Sequence, residues 1–373
     1  MHVLITVVGQ RTEHWTDMFA ALVARPGMAV TVLAADVSTG TVAELARLSE
    51  RFPWLRHHVV PHLMGANRTG HTASLVFRPA TMRRLPVERP DVVHVIGEAA
   101  FLTTAQAIRL RRRWPDVPIT LYAARNVVTR FPRPFPRLER TAHRAVDHAF
   151  PVTDAALSVL RAKGYEGPAT VVPLGVDTAL FTPAPVAPPS GRFTAGFVGR
   201  LEERKGVAVL LAAAERVDCD VLLVGAGSRS DLVDEAARRR PGRVLRQGPT
   251  GPADRPACLS RMDALVLPSV ERERFGRVLV EAMACGVPVV GSEVGEIPHV
   301  IGGTGLTFPA GDSAALAERL DLLRRRPDLA RRLSAGGLHR AVTEFSWDRI
   351  AETMCAVWST LAVANTAVPA RLS

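Results

Sequence analysis

The chain of 373 residues is poor in four things: cysteine, tyrosine, lysine and long apolar runs. Cys219, Cys258, Cys285 and Cys355 are widely scattered with no C-x-x-C pair, which argues against a disulfide framework and a structural zinc site. No apolar stretch approaches the roughly eighteen residues that a membrane span needs. The start, Met1 to Val8, has no basic n-region, and its apolar run ends before Gln10 and Arg11. It reads as a first strand rather than a signal peptide, so a soluble, cytoplasmic protein is expected. With two tyrosines and no interleaving of aromatic and basic residues, nucleic acid is disfavoured as a partner.

What is present suits a globular protein. Hydrophobic residues make up 47% of the chain, enough for sizeable cores, and the length suits two domains of about 150–200 residues each. The net charge of +11 is uneven. Residues 1–180 carry 22 Arg and Lys against 14 Asp and Glu, a net of +8, and the remainder 25 against 22, a net of +3. A basic first half suits an anionic acceptor or a membrane surface. The alternative is a general preference for arginine, which supplies 45 of the 47 cations. Arg137, Arg140 and Arg144 follow spacings that place them on one face of a basic helix, fit for an anionic acceptor or lipid surface or simply for solvent.

Short β-branched runs alternate with helical patterns from the first residue. Strands are expected at 3–8, 29–34, 57–61, 92–96, 119–123, 148–152 and 170–172, with helices such as 13–24, 101–113 and 154–163 between them. This alternation implies βαβ units and a parallel sheet covered on both faces. Residues 182–191 are too proline-rich for a helix or a sheet interior and read as a linker. The alternation then restarts, with strands at 193–198, 221–224, 244–246, 264–267 and 287–290. Two doubly wound α/β halves leave a cleft where both sets of strand ends meet, and ligands of such folds bind at those carboxyl ends.

Ser269 to Val290 holds the strongest constellation. Glu273 stands between the strand 264–267 and a helix opening near Phe275 or Gly276, and Glu281 falls in the second turn of that helix. Free backbone N–H groups and the positive end of the helix dipole make a site for a diphosphate, and Gly276 lets the backbone approach it. Two carboxylates eight positions apart can accept hydrogen bonds from the hydroxyls of two sugars. The alternative is a solvated acidic pair, which the apolar run around Glu281 opposes. A second constellation, Gly199 to Gly206, puts Arg200 and Lys205 at a strand end and a helix start, where they can bracket a leaving phosphate. Lys205 is one of only two lysines, the other being Lys163. Where arginine is the habitual cation, an ammonium suggests that a compact point charge is wanted.

Three patterns are set aside. Gly225-Ala226-Gly227 has Ser230 at its third glycine position and no acidic partner downstream, which disfavours a dehydrogenase. Asp218-Cys219-Asp220 precedes a strand instead of following one. His57, His58 and His62 lack a third ligand, so no metal is expected.

These residues resemble the family-4 retaining glycosyltransferases, which have the GT-B architecture. Val172 to Asp177 is similar to that family's crossover into the second domain, Gly199 to Gly206 to its phosphate clamp, and Glu273 to Glu281 to its E-x7-E motif with an inner Phe-Gly. Gly295-Glu296-Ile297-Pro298 and Gly305-Leu306 also fit, and Phe345-Ser346-Trp347 resembles the start of a C-terminal helix that returns toward the first domain. The resemblance implies an acceptor-side domain at 1–175 joined by that helix at about 347–373, a linker at 176–191 and a donor domain at 192–346. It implies that Arg200 and Lys205 hold the diphosphate with the amides of Arg277 and Val278. Glu273, Phe275 and Gly276 would face the donor sugar, Glu281 the ribose, and Gly9 the phosphates. Asn126 stands where many relatives have a histidine, and His299 where a glutamate is usual. The expected reaction is metal-independent transfer, with retention, from a UDP- or GDP-type sugar to a small-molecule, glycan or lipid-linked acceptor, with no cofactor. The alternatives are an epimerase or phosphorylase on the same fold, or a nucleotide-sugar-binding protein without catalysis.

Overall fold

The computed structural model describes residues 1–9, 12–64, 72–184 and 191–366. In chain order the first strands are β1 (His2–Val8), β2 (Ala29–Ala35), β3 (Leu55–Val59), β4 (His62–Leu63), β5 (Val76–Phe77), β6 (Val92–Ile96), β7 (Ile119–Ala123) and β8 (His148–Pro151). Six of them form a parallel sheet in the order β3-β2-β1-β6-β7-β8, while β4 and β5 pair as a separate antiparallel ribbon. Val3, Leu4, Ile5, Val30, Val32 and Leu33 are fully buried. Continuous apolar runs of this kind arise because helices cover both faces of the sheet.

The second set is β9 (Thr194–Val198), β10 (Asp220–Val224), β11 (Val244–Gln247), β12 (Ala264–Leu267), β13 (Val289–Ser292) and β14 (Leu306–Phe308). These also pair in parallel, in the order β11-β10-β9-β12-β13-β14. Each sheet therefore reverses its winding beside its first strand, between β1 and β6 and between β9 and β12. Loops leaving the carboxyl ends on either side of such a switch point diverge and leave a crevice.

Several boundaries differ from the sequence reading. β3 starts at Leu55 rather than His57 and stops before Pro61. Residues 170–172 follow β8 through two backbone bonds, Thr170 N to Ala149 O and Val172 N to Pro151 O, but form no strand. Pro168 and Pro173 flank the stretch and have no N–H to extend a ladder. β13 starts at Val289 for the same reason, since Pro288 contributes only its carbonyl, to Leu265 N at 2.8 Å. The three-residue β14 is too short to show a period.

The chain divides into two compact units, Met1–Pro173 with Trp347–Ser373, and Leu174–Ser346. The final helix, Trp347–Thr366, belongs to the first unit because its apolar stripe is buried there: Ile350, Met354 and Trp358 are sealed from solvent and Trp358 Nε1 donates to Thr120 Oγ1. The expected linker at 176–191 is not a free tether in its first part. Val176 N donates to Phe345 O, Asp177 caps the amides of Ala179 and Leu180, and Phe181 is buried, all within the second unit. Residues 185–190 of that linker, and 367–373 of the expected final helix, lie outside the described residues. Among the described residues no helix is long and apolar enough to cross a membrane.

Candidate active site

At the switch point of the second sheet, the loops after β9 and β12 are locked together by backbone. Lys205 ends a short 3-10 turn, Glu203–Lys205, and Gly206 follows in the left-handed region at φ 68°. A Cβ on Gly206 would lie 1.8 Å from the carbonyl oxygen of Pro268, so only glycine lets the two loops approach. Val270 N then donates to Arg204 O at 3.0 Å. This contact carries the Lys205 ammonium onto the Glu273 carboxylate, which also accepts from Ser269 Oγ at 3.3 Å. The two charged side chains are each only 15% exposed. Behind them, a Cβ on Gly295 would meet Glu273 O at 2.1 Å, and Glu296 N donates to that oxygen. The glycine of the Gly295-Glu296 pair thus fixes the backbone of Glu273.

Beside this pair the second unit holds a cavity of about 280 Å³, lined by Gly199, Arg200, Thr250, Arg255, Arg277 and Glu281 among others. The helix Arg277–Ala284 opens on it, with Gly276 as its left-handed N-cap at φ 83°. Arg277 and Val278 line the cavity, and the amides of a first helical turn have no acceptor within the helix. Glu281, on the same helix, is 2% exposed, accepts from Arg255 Nη1 at 2.7 Å and pairs with Arg277 Nη2 at 3.3 Å. Arg200 is paired with Glu202, whose other oxygen takes Arg204 Nε at 2.8 Å. Arg255 and Arg277 share one buried carboxylate and Arg200 and Arg204 share a half-buried one, so with the helix N-terminus an excess of positive potential remains, which suits an anionic ligand.

Eight expected site residues therefore lie on the loops and helix at the carboxyl ends of β9 and β12: Arg200, Lys205, Glu273, Phe275, Gly276, Arg277, Val278 and Glu281. One of them is oriented otherwise than expected. The Phe275 ring is buried edge-on against Phe345, with centroids 5.8 Å apart, so an apolar ring has been taken into the core and only its backbone is free to meet a sugar. Gly9 and Asn126 stand in the other unit. Gly9, at φ 107°, follows β1 and donates its N–H to Ala35 O, and the buried Asn126 follows β7.

The sequence reading missed Arg255 and Thr250 and passed over Gly225-Ala226. Gly225 and Ala226 line the cavity, and Ala226 O takes the N–H of Leu201, which ties the loop after β10 to the one after β9. Their signal was legible, because they follow a strand directly. Thr250, whose Oγ1 is buried without a partner, and Arg255, on the five-residue helix Arg255–Leu259, had no such signal.

The chain matches solved structures of GT-B architecture. A glycosyltransferase from Rickettsia africae superposes with a TM-score of 0.76 at 17% identity, covering 96% of this chain and 98% of that one. The Anabaena protein HepE, solved in complex with UDP, superposes at 0.72 and 18% identity, covering 96% and 100%. The fold is that of the two-domain GT-B architecture. Residues 12–180 match the family described as Glycosyltransferase Family 4 and residues 192–325 that described as Glycosyl transferases group 1. The chain is 32% identical over 358 residues to an alpha-maltose-1-phosphate synthase of Mycolicibacterium smegmatis, covering 87% of this chain and 81% of that protein. It is 35% identical over 215 residues to a phosphatidyl-myo-inositol mannosyltransferase of Mycobacterium leprae, in a match spanning 54% of this chain and 56% of that protein. The chain belongs to the family-4 glycosyltransferases.

Proposed function

We propose that the protein transfers a sugar, with retention and without a metal, from a UDP- or GDP-type nucleotide sugar to a hydroxyl acceptor. The observation that carries this reading is the second-unit cavity, with Arg200, Arg277 and Arg255 around Glu281 at a helix N-terminus. A nucleoside diphosphate has the two parts this wall suits: phosphates for the cations and the amides of Arg277 and Val278, and a ribose for Glu281. Solved relatives bound to UDP or UDP-glucose share the fold and support a nucleotide ligand.

In the reaction the acceptor oxygen attacks the anomeric carbon as the bond from that carbon to the diphosphate oxygen breaks. The departing phosphate takes the acceptor's proton on the same face. Arg200, Lys205 and the helix amides stabilise the charge that develops, each such preorganised donor being worth about 2.7–4 kcal/mol. Glu273 and the backbone at Phe275 and Gly276 orient the donor sugar. The chain's own cations supply the countercharge, so dialysis against EDTA is expected to leave the transfer rate unchanged. A loss of tenfold or more, restored by Mg²⁺ or Mn²⁺, would sink the metal-independent reading.

A thermal-shift panel of UDP-, GDP- and ADP-sugars, followed by product analysis with the sugar that binds, tests the whole. Transfer with retained anomeric configuration is expected. Nucleotide release only as an epimerised donor, or binding without turnover, would favour the epimerase or the binding-protein alternative instead.

A cytoplasmic protein with a peripheral anionic surface as its acceptor platform fits the first domain. Its four cysteines are free, as in a reducing compartment. Arg137, Arg140 and Arg144 are all exposed on the helix Phe135–Ala145, and Val127 and Val128 are exposed in the loop before it. Reversing the three charges should weaken co-sedimentation with anionic vesicles. Unchanged sedimentation would return them to a solvated face.

A further inference from the structure

A second cavity, of about 360 Å³, lies wholly within the first domain, between the helices Pro79–Arg84 and Leu102–Arg111. Pro79, Met82 and Leu110 give it apolar walls, and Arg83, Arg109 and Arg113 also line it. It stands away from the carboxyl ends of the strands. The helix Leu102–Arg111 leaves the carboxyl end of β6, so its last turn reaches the opposite end of the sheet. There Arg111 Nε donates to Val117 O, two residues before β7 begins. Neither Gly9 nor Asn126, at the carboxyl ends of β1 and β7, is on this side.

The cavity is built. Gln106 exchanges two 2.8 Å hydrogen bonds with the backbone of Phe77, pinning the middle of one helix to the strand that leads into the other. Arg113 Nη2 donates to the carbonyls of Met82 and Arg83 at 2.8 and 2.6 Å, satisfying the last turn of the helix Pro79–Arg84. Its charge is held at the rim by acceptors that are not anionic. Arg83, Arg109 and Arg113 are exposed, and none of them enters an ion pair among the described residues. Three arginines line one space with no carboxylate partner among the described residues, and the space is large enough for a small ligand.

We propose that this cavity is a binding site for a phosphate-bearing amphiphile, distinct from the donor site. The phosphate is held by Arg83, Arg109 and Arg113, whose forked donors match its oxygens. The apolar part of the ligand lies against Met82 and Leu110. A soluble organophosphate and a phospholipid headgroup share this chemistry.

The test uses the full chain, with Arg83→Ala and Arg109→Ala combined. Both side chains are exposed, and Arg113 is left in place because it caps a helix. Thermal melting of the variant serves as the folding control. Phenyl phosphate is titrated by calorimetry, inorganic phosphate is run beside it, and vesicles of phosphatidylcholine with and without phosphatidic acid are sedimented with each protein. Saturable binding of phenyl phosphate, stronger than that of inorganic phosphate and weakened at least tenfold in the variant, supports the site with a soluble ligand. Sedimentation that needs phosphatidic acid and is lost in the variant, without phenyl phosphate binding, supports it with the headgroup as source. Binding of both probes that is absent, or equal in the two proteins, overturns the proposal. UDP binding is expected to be the same in both proteins, so a failure here is separable from a failure of the donor site.

Discussion

Both lysines of this arginine-rich chain make the same kind of contact. Lys163 Nζ meets Glu139 at 2.6 Å, Lys205 Nζ meets Glu273, and all four side chains are less than a fifth exposed. A compact ammonium fits a half-buried carboxylate where a planar guanidinium needs more room and a fixed donor geometry. The unusual residue type thus has a reason that does not depend on phosphate, and at position 205 it also orients Glu273. Lys205→Arg is therefore expected to lower kcat/KM at least about tenfold, or ~1.4 kcal/mol of transition-state stabilisation, with little change in Tm. The exposed Arg216→Lys is the control. Full activity of Lys205→Arg with its true donor and acceptor would remove the residue from the machinery. A buried histidine gives a second residue-scale test. His94 sits among Tyr122, Phe150 and Trp358, and burial pushes its pKa down to about 3. The unfolded chain takes up its proton near the ordinary histidine value, so the neutral ring favours the fold above that pH and the advantage fades as pH falls toward 3. Between about pH 7.5 and pH 5 this one group accounts for about 2 kcal/mol of lost stability. His94→Phe should lose that much less over the interval in urea melts, and equal losses in both proteins would refute the assignment.

At the scale of elements, the helix Arg277–Ala284 does three things at once. Its N-terminus faces the cavity, its apolar side is buried through Leu279, Val280 and Met283, and Glu281 ties it to Arg255 on a separate short helix. The E-x7-E spacing was visible in the sequence, and the strand-to-helix placement of Glu273 could be read from it. The burial of Glu281 between two arginines could not, because Arg255 is 26 residues away on an element with no period of its own. Glu281→Gln leaves two guanidiniums facing a neutral amide. Removing one partner of a buried pair typically costs 3–5 kcal/mol, and the partial exposure of both arginines places this case near the low end, at about 3 kcal/mol. Equilibrium unfolding should show that loss, together with at least a tenfold weaker nucleotide Kd. A variant that melted normally and bound nucleotide normally would return Glu281 to a role in neither. Phe275 shows the reverse failure: its place in the motif was legible, but the direction of its ring was decided by Phe345, 70 residues further on.

For the whole molecule, each unit has its own sheet and its own core, and the cavity proposed for the donor is lined by the second unit alone. A nucleotide held there should stabilise that unit by about 2.7 kcal/mol at a hundred times its Kd, by mass action. Calorimetry of the full chain is expected to resolve a transition that UDP or GDP raises and another that it leaves in place. A single transition shifted as one by nucleotide would mean that the units unfold together. The sequence by itself determined the doubly wound class, because β-branched runs separated by helical periods have few other ways to cover both faces of a sheet. It also determined the placement of Lys205 and Glu273 in the loops that follow buried strand runs, and of Glu281 on the helix that follows Glu273. Only the tertiary structure decided which unit owns residues 174–184, and that Arg255 and Thr250 join the cavity wall. Those depend on contacts between segments far apart in the chain, where no local period carries the information. They are settled by which apolar surfaces and which buried charges find each other.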